Sequence, residues 1–256
     1  MKKRYYILTG VLSYLFFALS NVPAAKIVSL VQENSQLPVK LYGVYGSLWN
    51  GRANTAMLQG QPPIKDFQWS VNPAALLLAQ ISADVKGSIN EQNITGNVSI
   101  GITGNISASD VRARIDAAVI QQMVTLPMGE LGGFFNIDIA SLETGDEGLP
   151  IVDASIKWKN AKFTLLDTVN LGHVSLDISP GEDNQLVAKI SNKKGELSLD
   201  GSAQVDAKKA YNLELSIIPE KSAQENIRQS LTMFAKRQTD GSYLVKRRGN
   251  LKDLGL

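Results

Sequence analysis

The chain has 256 residues, with 26 Lys and Arg against 24 Asp and Glu, one histidine and no cysteine. A formal charge of +2 spread over that length supplies no field for holding nucleic acid. The missing thiols exclude disulfides and thiolate metal sites, so stability must come from packing and hydrogen bonding.

Met1-Lys2-Lys3-Arg4 is a compact basic cluster that runs straight into residues 5–22, which carry no ionisable group except tyrosine hydroxyls. At about 1.5 Å per residue that run spans roughly 27 Å as a helix, close to the hydrocarbon thickness of a bilayer. Backbone in lipid must satisfy its own hydrogen bonds, which makes a helix the form expected here. Lys2, Lys3 and Arg4 predict a cytoplasmic start over 1–4 and export of everything after 22. A cleaved signal peptide is the competing reading, because Val22-Pro23-Ala24-Ala25 places small residues near a cutting point. Against it stand the length of the apolar run, Pro23 beside the cut, and the return of apolar residues at 27–31 after Lys26. The expectation is a retained transmembrane helix over 5–22, a membrane-proximal linker over 23–42, and an exported β-rich body over 43–256.

In the body the dominant period is two. Ile94, Val98, Ile100, Ile102, Ile106 and Ala108 share one parity, with Gly96 and Gly104 in the remaining slots. That is a half-buried strand pattern in which the glycines mark bends or a turn. Alternation recurs at Phe67/Trp69/Val71, Ile81/Ala83/Val85, Phe135/Ile137/Ile139, Val152/Ala154/Ile156/Trp158 and Val174/Leu176/Ile178. It returns at Leu186/Ala188/Ile190, Leu197/Leu199 and Leu213/Leu215/Ile217. Turn signals at 180–184, 192–195 and Asp200-Gly201 separate these runs, which predicts a mainly β fold of antiparallel meander sheets.

Helices are few and short. Asn72-Pro73 is a start signal for a helix over 74–80. Residues 116–125 form a second candidate stopped by Pro127. Ser222 and Glu225 make a capping box for a third over 222–235, with Ile227, Leu231 and Phe234 at helical spacing. Asp240-Gly241 then predicts a turn into a last strand over 242–245. Internal duplication is one further reading, with halves over 43–118 and 150–218 followed by the C-terminal helix and strand. Each half contains a Trp with a small residue nearby (Trp49 in Leu48-Trp49-Asn50-Gly51-Arg52-Ala53, Trp158 before Asn160-Ala161) and continues as strands.

Candidates for chemistry are sparse. His173 stands alone at the start of a strand, where a structural or exposed role is the ordinary one, and no Gly-x-Ser-x-Gly elbow accompanies it. One histidine and no cysteine leave zinc or copper almost without ligands. Asp138, Asp146, Glu147 and Asp153 fall on wet strand positions and turns, where solvated carboxylates are expected. The Gly96–Gly104 region lies inside an alternating strand, not between a strand and a helix, and so makes no phosphate cradle. No catalytic, cofactor-binding or metal-ligating residue is expected, and no cofactor. Trp49 and Trp69 read as packing residues before ligand contacts. The stretch 221–256 holds Lys221, Arg228, Lys236, Arg237, Lys246, Arg247, Arg248 and Lys252 against Glu225, Asp240 and Asp253. It is either a solvated face or a contact for anionic headgroups or an acidic partner.

Taken together, Gly46-Ser47-Leu48-Trp49-Asn50-Gly51-Arg52-Ala53 resembles the glycine–Thr/Ser–apolar–Trp–x–Gly–x–Ala signature of the type II secretion system protein N family. A later Trp-x-x-x-Pro followed by leucines is here Trp69 to Pro73 with Leu76, Leu77 and Leu78, and the resemblance covers nearly the whole chain except 121–148. It implies an accessory component of the bacterial inner membrane and periplasm that supports export of folded proteins by binding, with other secretion subunits as partners. Gly46, Leu48, Trp49, Gly51, Ala53, Trp69 and Pro73 carry over as signature positions of structural character, and no catalytic residue does. The alternative is a lipid-binding or lipid-transferring envelope protein using an apolar β-groove; an exported hydrolase using His173 is a weaker third.

Overall fold

The computed structural model describes residues 5–6, 10–11, 13–14, 17–18, 20–34, 39–123, 129–144, 149–164, 167–221, 223 and 225–251. Strands dominate, with all paired neighbours antiparallel, as the alternating pattern predicts. The chain divides into two compact units, Met1–Asn93 and Ile94–Leu256.

The first unit opens with α1 (Ala24–Asn34), followed by β1 (Val39–Gly46), β2 (Asn50–Leu58) and β3 (Ile64–Asn72). The stretch 23–42, expected as a linker, therefore holds a helix and the beginning of a strand. A 3-10 helix, Pro73–Leu78, stands where an α-helix over 74–80 was expected. The Asn72 side chain caps it by accepting from the Ala74 amide, and Ala79 ends it by turning left-handed at φ 55°. Then comes β4 (Gln80–Ile89). The alternation there departs from expectation at its first residues: Ile81 is exposed and Ser82 is buried.

The second unit runs through β5 (Gln92–Gly101, of which Ile94 onward belongs here), β6 (Ile106–Asp116) and α2 (Ala117–Met123). The long 94–108 pattern is thus a hairpin with its turn at 101–105, and the register shifts between Thr95 and Asn97, around Gly96. Next are β7 (Glu130–Glu143), β8 (Ile151–Thr164), β9 (Thr168–Pro180), β10 (Leu186–Lys193), β11 (Leu197–Val205) and β12 (Ala210–Pro219). The last helix, α3, spans Glu225–Phe234, and Ser222, the first half of the expected capping box, lies outside the described residues. A two-residue edge strand β13 (Lys236–Arg237) and β14 (Tyr243–Asn250) finish the sheet, the latter longer than the expected 242–245. Within this unit the strands pair in chain order to β12, which pairs with β14 and so reaches β13.

The deepest positions belong to small residues: Ala24 and Ala161 at 0% exposure, Ala53, Ala56 and Ala117 at 1%. No large side chain among the described residues is fully buried. Among the described residues a compact cluster forms from Leu197, Ile217, Ile227 and Tyr243, where α3 lies on the sheet with Leu231 and Val245 at its margin. Elsewhere among the described residues the apolar strand positions are mostly half-buried, as expected of sheet with no second layer packed on it.

Among the described residues no helix is long and apolar enough to cross a membrane. Seven of the residues in 5–22 lie outside them; Tyr5, Tyr6, Val11, Tyr14 and Phe17 are exposed, and Val22 is half-buried.

Candidate functional site

The expected signature positions converge on one junction in the first unit. Between β1 and β2 the chain reverses through Ser47, Leu48 and Trp49, closed by the Ser47 amide donating to the Asn50 carbonyl at 3.0 Å. Gly46 enters the reversal at φ +89°, a region in which a side chain would be strained and where a Cβ would sit 2.7 Å from the Asn50 carbonyl oxygen.

The Leu48 peptide is held on both sides. Its amide donates to the Val22 carbonyl at 2.8 Å, and its carbonyl accepts from the Trp69 indole Nε1–H at 2.8 Å. One residue on, the Trp49 carbonyl accepts from the Val71 amide at 2.7 Å, while Pro23 bridges to Ser47. This small loop therefore ties together the segment leaving residue 22, the β1–β2 hairpin and β3. Each tie is a backbone polar group that would otherwise need water or another partner.

Trp69 reaches Leu48 because Gly51, its cross-strand partner, has no side chain. A Cβ on Gly51 would lie 2.0 Å from Trp69 Cζ2, so the indole lies flat over the glycine. Phe67, two residues earlier on the same face, tilts toward it with ring centroids 6.1 Å apart. Ala53, opposite Phe67, is 1% exposed and leaves that ring its space. Pro73 does not join the junction; it occupies the first turn of the 3-10 helix, in which Leu76, Leu77 and Leu78 are exposed. The spacing of these residues did not reveal the Val22–Leu48 and Pro23–Ser47 ties, since backbone-to-backbone bonds leave no side-chain signature.

The described chemical candidates lie in the second unit, His173 in one depression and Asp138 and Asp153 in another. His173 Nδ1 accepts the Asn160 amide at 3.4 Å, and its ring lines an open depression of about 350 Å³ with Lys162, Asn170 and Lys194. Asp138 and Asp153 border another depression beside Asp177 and Lys189, where Ser155 Oγ donates to Asp177 at 2.8 Å. Asp146 and Glu147 lie outside the described residues. No group of three or more metal-capable side chains occurs among the described residues.

What fold and junction define is a sheet protein whose most constrained residues hold backbone to backbone. More particularly, the chain belongs to the type II secretion system (T2SS), protein N family, whose model matches residues 38–246. A relative, the type II secretion system protein N of Vibrio cholerae serotype O1, is 23% identical over 218 residues, covering 83% of this chain and 85% of that protein. No solved structure matches the chain. The family is a component of the type II secretion system, so the resemblance carried by Gly46 to Ala53 is correct at the level of family.

Proposed function

We propose that this chain is an accessory, single-pass inner-membrane subunit that supports export of folded proteins by binding other inner-membrane and periplasmic secretion subunits. In this reading residues 5–22 form the membrane helix, Lys2, Lys3 and Arg4 stay in the cytoplasm, and the sheet body stands in the periplasm. The observation that carries it is the junction: Leu48 and Ser47 grip Val22 and Pro23 directly where the apolar run ends. A signal peptidase cut near Ala25 would remove strand-paired Pro23 and fully buried Ala24 from the folded unit. Retention keeps them, and a tethered subunit gains effective concentration toward partners in the same membrane. The exposed Tyr5, Tyr6, Tyr14 and Phe17 suit a lipid environment.

Gly46, Leu48, Trp49, Gly51, Ala53 and Trp69 act in this proposal as the structural coupling between anchor and sheet, and Pro73 as a helix starter. N-terminal sequencing and membrane fractionation of the protein from cells test the topology. The expected mature chain begins at Met1 or Lys2 and extracts with the inner membrane. A mature start near Ala25 would sink it. For the role itself, deleting the gene should lower secretion of folded exoproteins, with restoration by the wild-type chain. Undiminished secretion across growth conditions speaks against an accessory role.

A further inference from the structure

Strand register in the second unit places one row of aliphatic residues across almost every strand. Ile94 pairs with Ala113, Ala113 with Ile137, Ile137 with Ile156 and Ile156 with Leu176. The row continues through Ile190, Gly201 and Leu215 to Val245. Two residues along, on the same face, run Val111, Ile139, Ala154, Ile178, Ala188, Ala203 and Leu213. Directly opposed residues share a face, so these rows form one apolar surface, about 38 Å along the ladder at ~4.8 Å per strand; Leu215 and Val245 at its β12–β14 end pack against the α3 cluster, and the other members of the rows stand outside that cluster. The row between them points the other way and is polar throughout, from Arg112 and Asp138 to Glu214 and Lys246.

Two properties single this surface out. It offers a ligand few hydrogen bonds, because the ladder consumes the backbone groups. Asn192, a polar residue bordering the surface, commits its amide to Leu171, Leu197 and Leu199. Charge appears on it at one end: Arg247 closes the Val111–Leu213 row, and Arg237 lies opposite Tyr243 on the edge strand. Both arginines are exposed, and no ion pair joins either to a carboxylate among the described residues. At the β5–β6 hairpin, Ile100, Ile102 and Ile106 stand 47%, 84% and 45% exposed, an apolar lip at the far end of the sheet order.

We infer that this face holds the acyl chains of an anionic phospholipid, with its phosphate against Arg237 and Arg247. A long apolar surface with cations at one end matches a molecule that is long, apolar and anionic at one end. A protein partner would demand about one hydrogen bond per 100–200 Å² within its footprint, which these rows do not supply. Each arginine near an anionic headgroup is worth about fivefold in binding. This inference does not rest on the secretion role, which the exoprotein assay reads separately.

The test places a photo-crosslinking benzoyl-phenylalanine at Ile156 or Leu176 in the full-length chain, in cells labelled with radioactive phosphate. Ser155 and Asp177, on the opposite face, serve as controls, and every variant is compared with wild type by its urea midpoint. Phosphate-labelled adducts that mass spectrometry identifies as phospholipid are expected at Ile156 and Leu176 and not at the controls. Adducts to another protein or to a second copy at those positions, equal labelling of both faces, or no lipid adduct would each overturn the inference. In micelles, the R237Q/R247Q double variant should lose a roughly tenfold or greater preference for phosphatidylglycerol over phosphatidylcholine. An unchanged preference would overturn the headgroup assignment.

Discussion

At the Leu48 junction the decisive positions are glycine and alanine, and backbone groups are bonded across strands and to the segment before β1. On the β5–β14 face the corresponding positions are isoleucine, leucine and valine at partial exposure, and among the described residues the α3 cluster covers its β11–β14 end. Both regions come from the same alternating strands, yet one is specified by closeness and the other by lack of cover. Where backbones must touch a ring, adding a methyl group is the damaging change. On an open face, removing methyl groups costs only their partial burial, and what matters is the ligand surface they leave.

The sharpest way to break the contrast is Gly51→Ala. Its new methyl meets Trp69 at a distance no pair of carbons tolerates, so about 3 kcal/mol of stability should be lost, read as a shifted urea midpoint of the full chain in micelles. A midpoint within error of wild type would show that the indole moves freely and that the junction is not tight. Trp69→Phe keeps most of the ring but leaves the Leu48 carbonyl without its donor, for a loss of about 1.5 kcal/mol. The same variant should increase proteolytic cleavage between residues 22 and 50 if the junction secures that segment.

Ile156→Ala, by comparison, should cost only about 1 kcal/mol, because the side chain is only partly buried. A cost above about 3 kcal/mol would mean that the face is covered after all. Smallest is the effect at the β13–β14 turn. Asp240 accepts from the Ser242 hydroxyl at 2.7 Å and from its amide at 2.9 Å, and these bonds, the hydroxyl's first, hold the carboxyl below its ordinary value. A carboxyl depressed in the folded state stabilises fully above its unfolded pKa of about 3.9 and loses that contribution as pH falls through the folded value. The stability difference between wild type and Asp240→Asn should therefore be constant from neutral pH to about pH 5 and shrink below about pH 4. A difference that grows on acidification would contradict this sign.

Much of the β architecture was legible because alternation is a local property. Phe135/Ile137/Ile139 and Val152/Ala154/Ile156/Trp158 fall inside β7 and β8 as expected, and Asp240-Gly241 lies at the turn before β14. Less legible were elements whose ends depend on neighbours. Residues 23–42 lack a strong helix-start signal, yet Gln32 docks on the Leu41 backbone and α1 packs beside β1. Asn72-Pro73 does start a helix, but the α-helical continuation yields to a 3-10 turn, because Ala79 turns left-handed and the chain must enter β4 at Gln80. Among the tryptophans, the clearest likeness is between Trp69 and Trp158, each indole donating to a backbone carbonyl far off in sequence, Leu48 and Gly132. Sequence spacing alone pairs Trp49 with Trp158, since a motif shows which residues are present and not where an indole N–H points.

By itself, the sequence determined the period of two, the faces that alternate along each strand, and the eight-residue stretch on which the resemblance to the family rests. These depend on neighbours one or two positions away, which composition and spacing record. Only the tertiary structure decided that Trp69 closes over Gly51 and bonds Leu48, 21 residues earlier. It alone aligned Ile94 through Val245 into one row ending beside arginine. Register between strands is set by turns, bulges and the packing of whole faces, and a single residue of slip would send every one of those side chains to the other side.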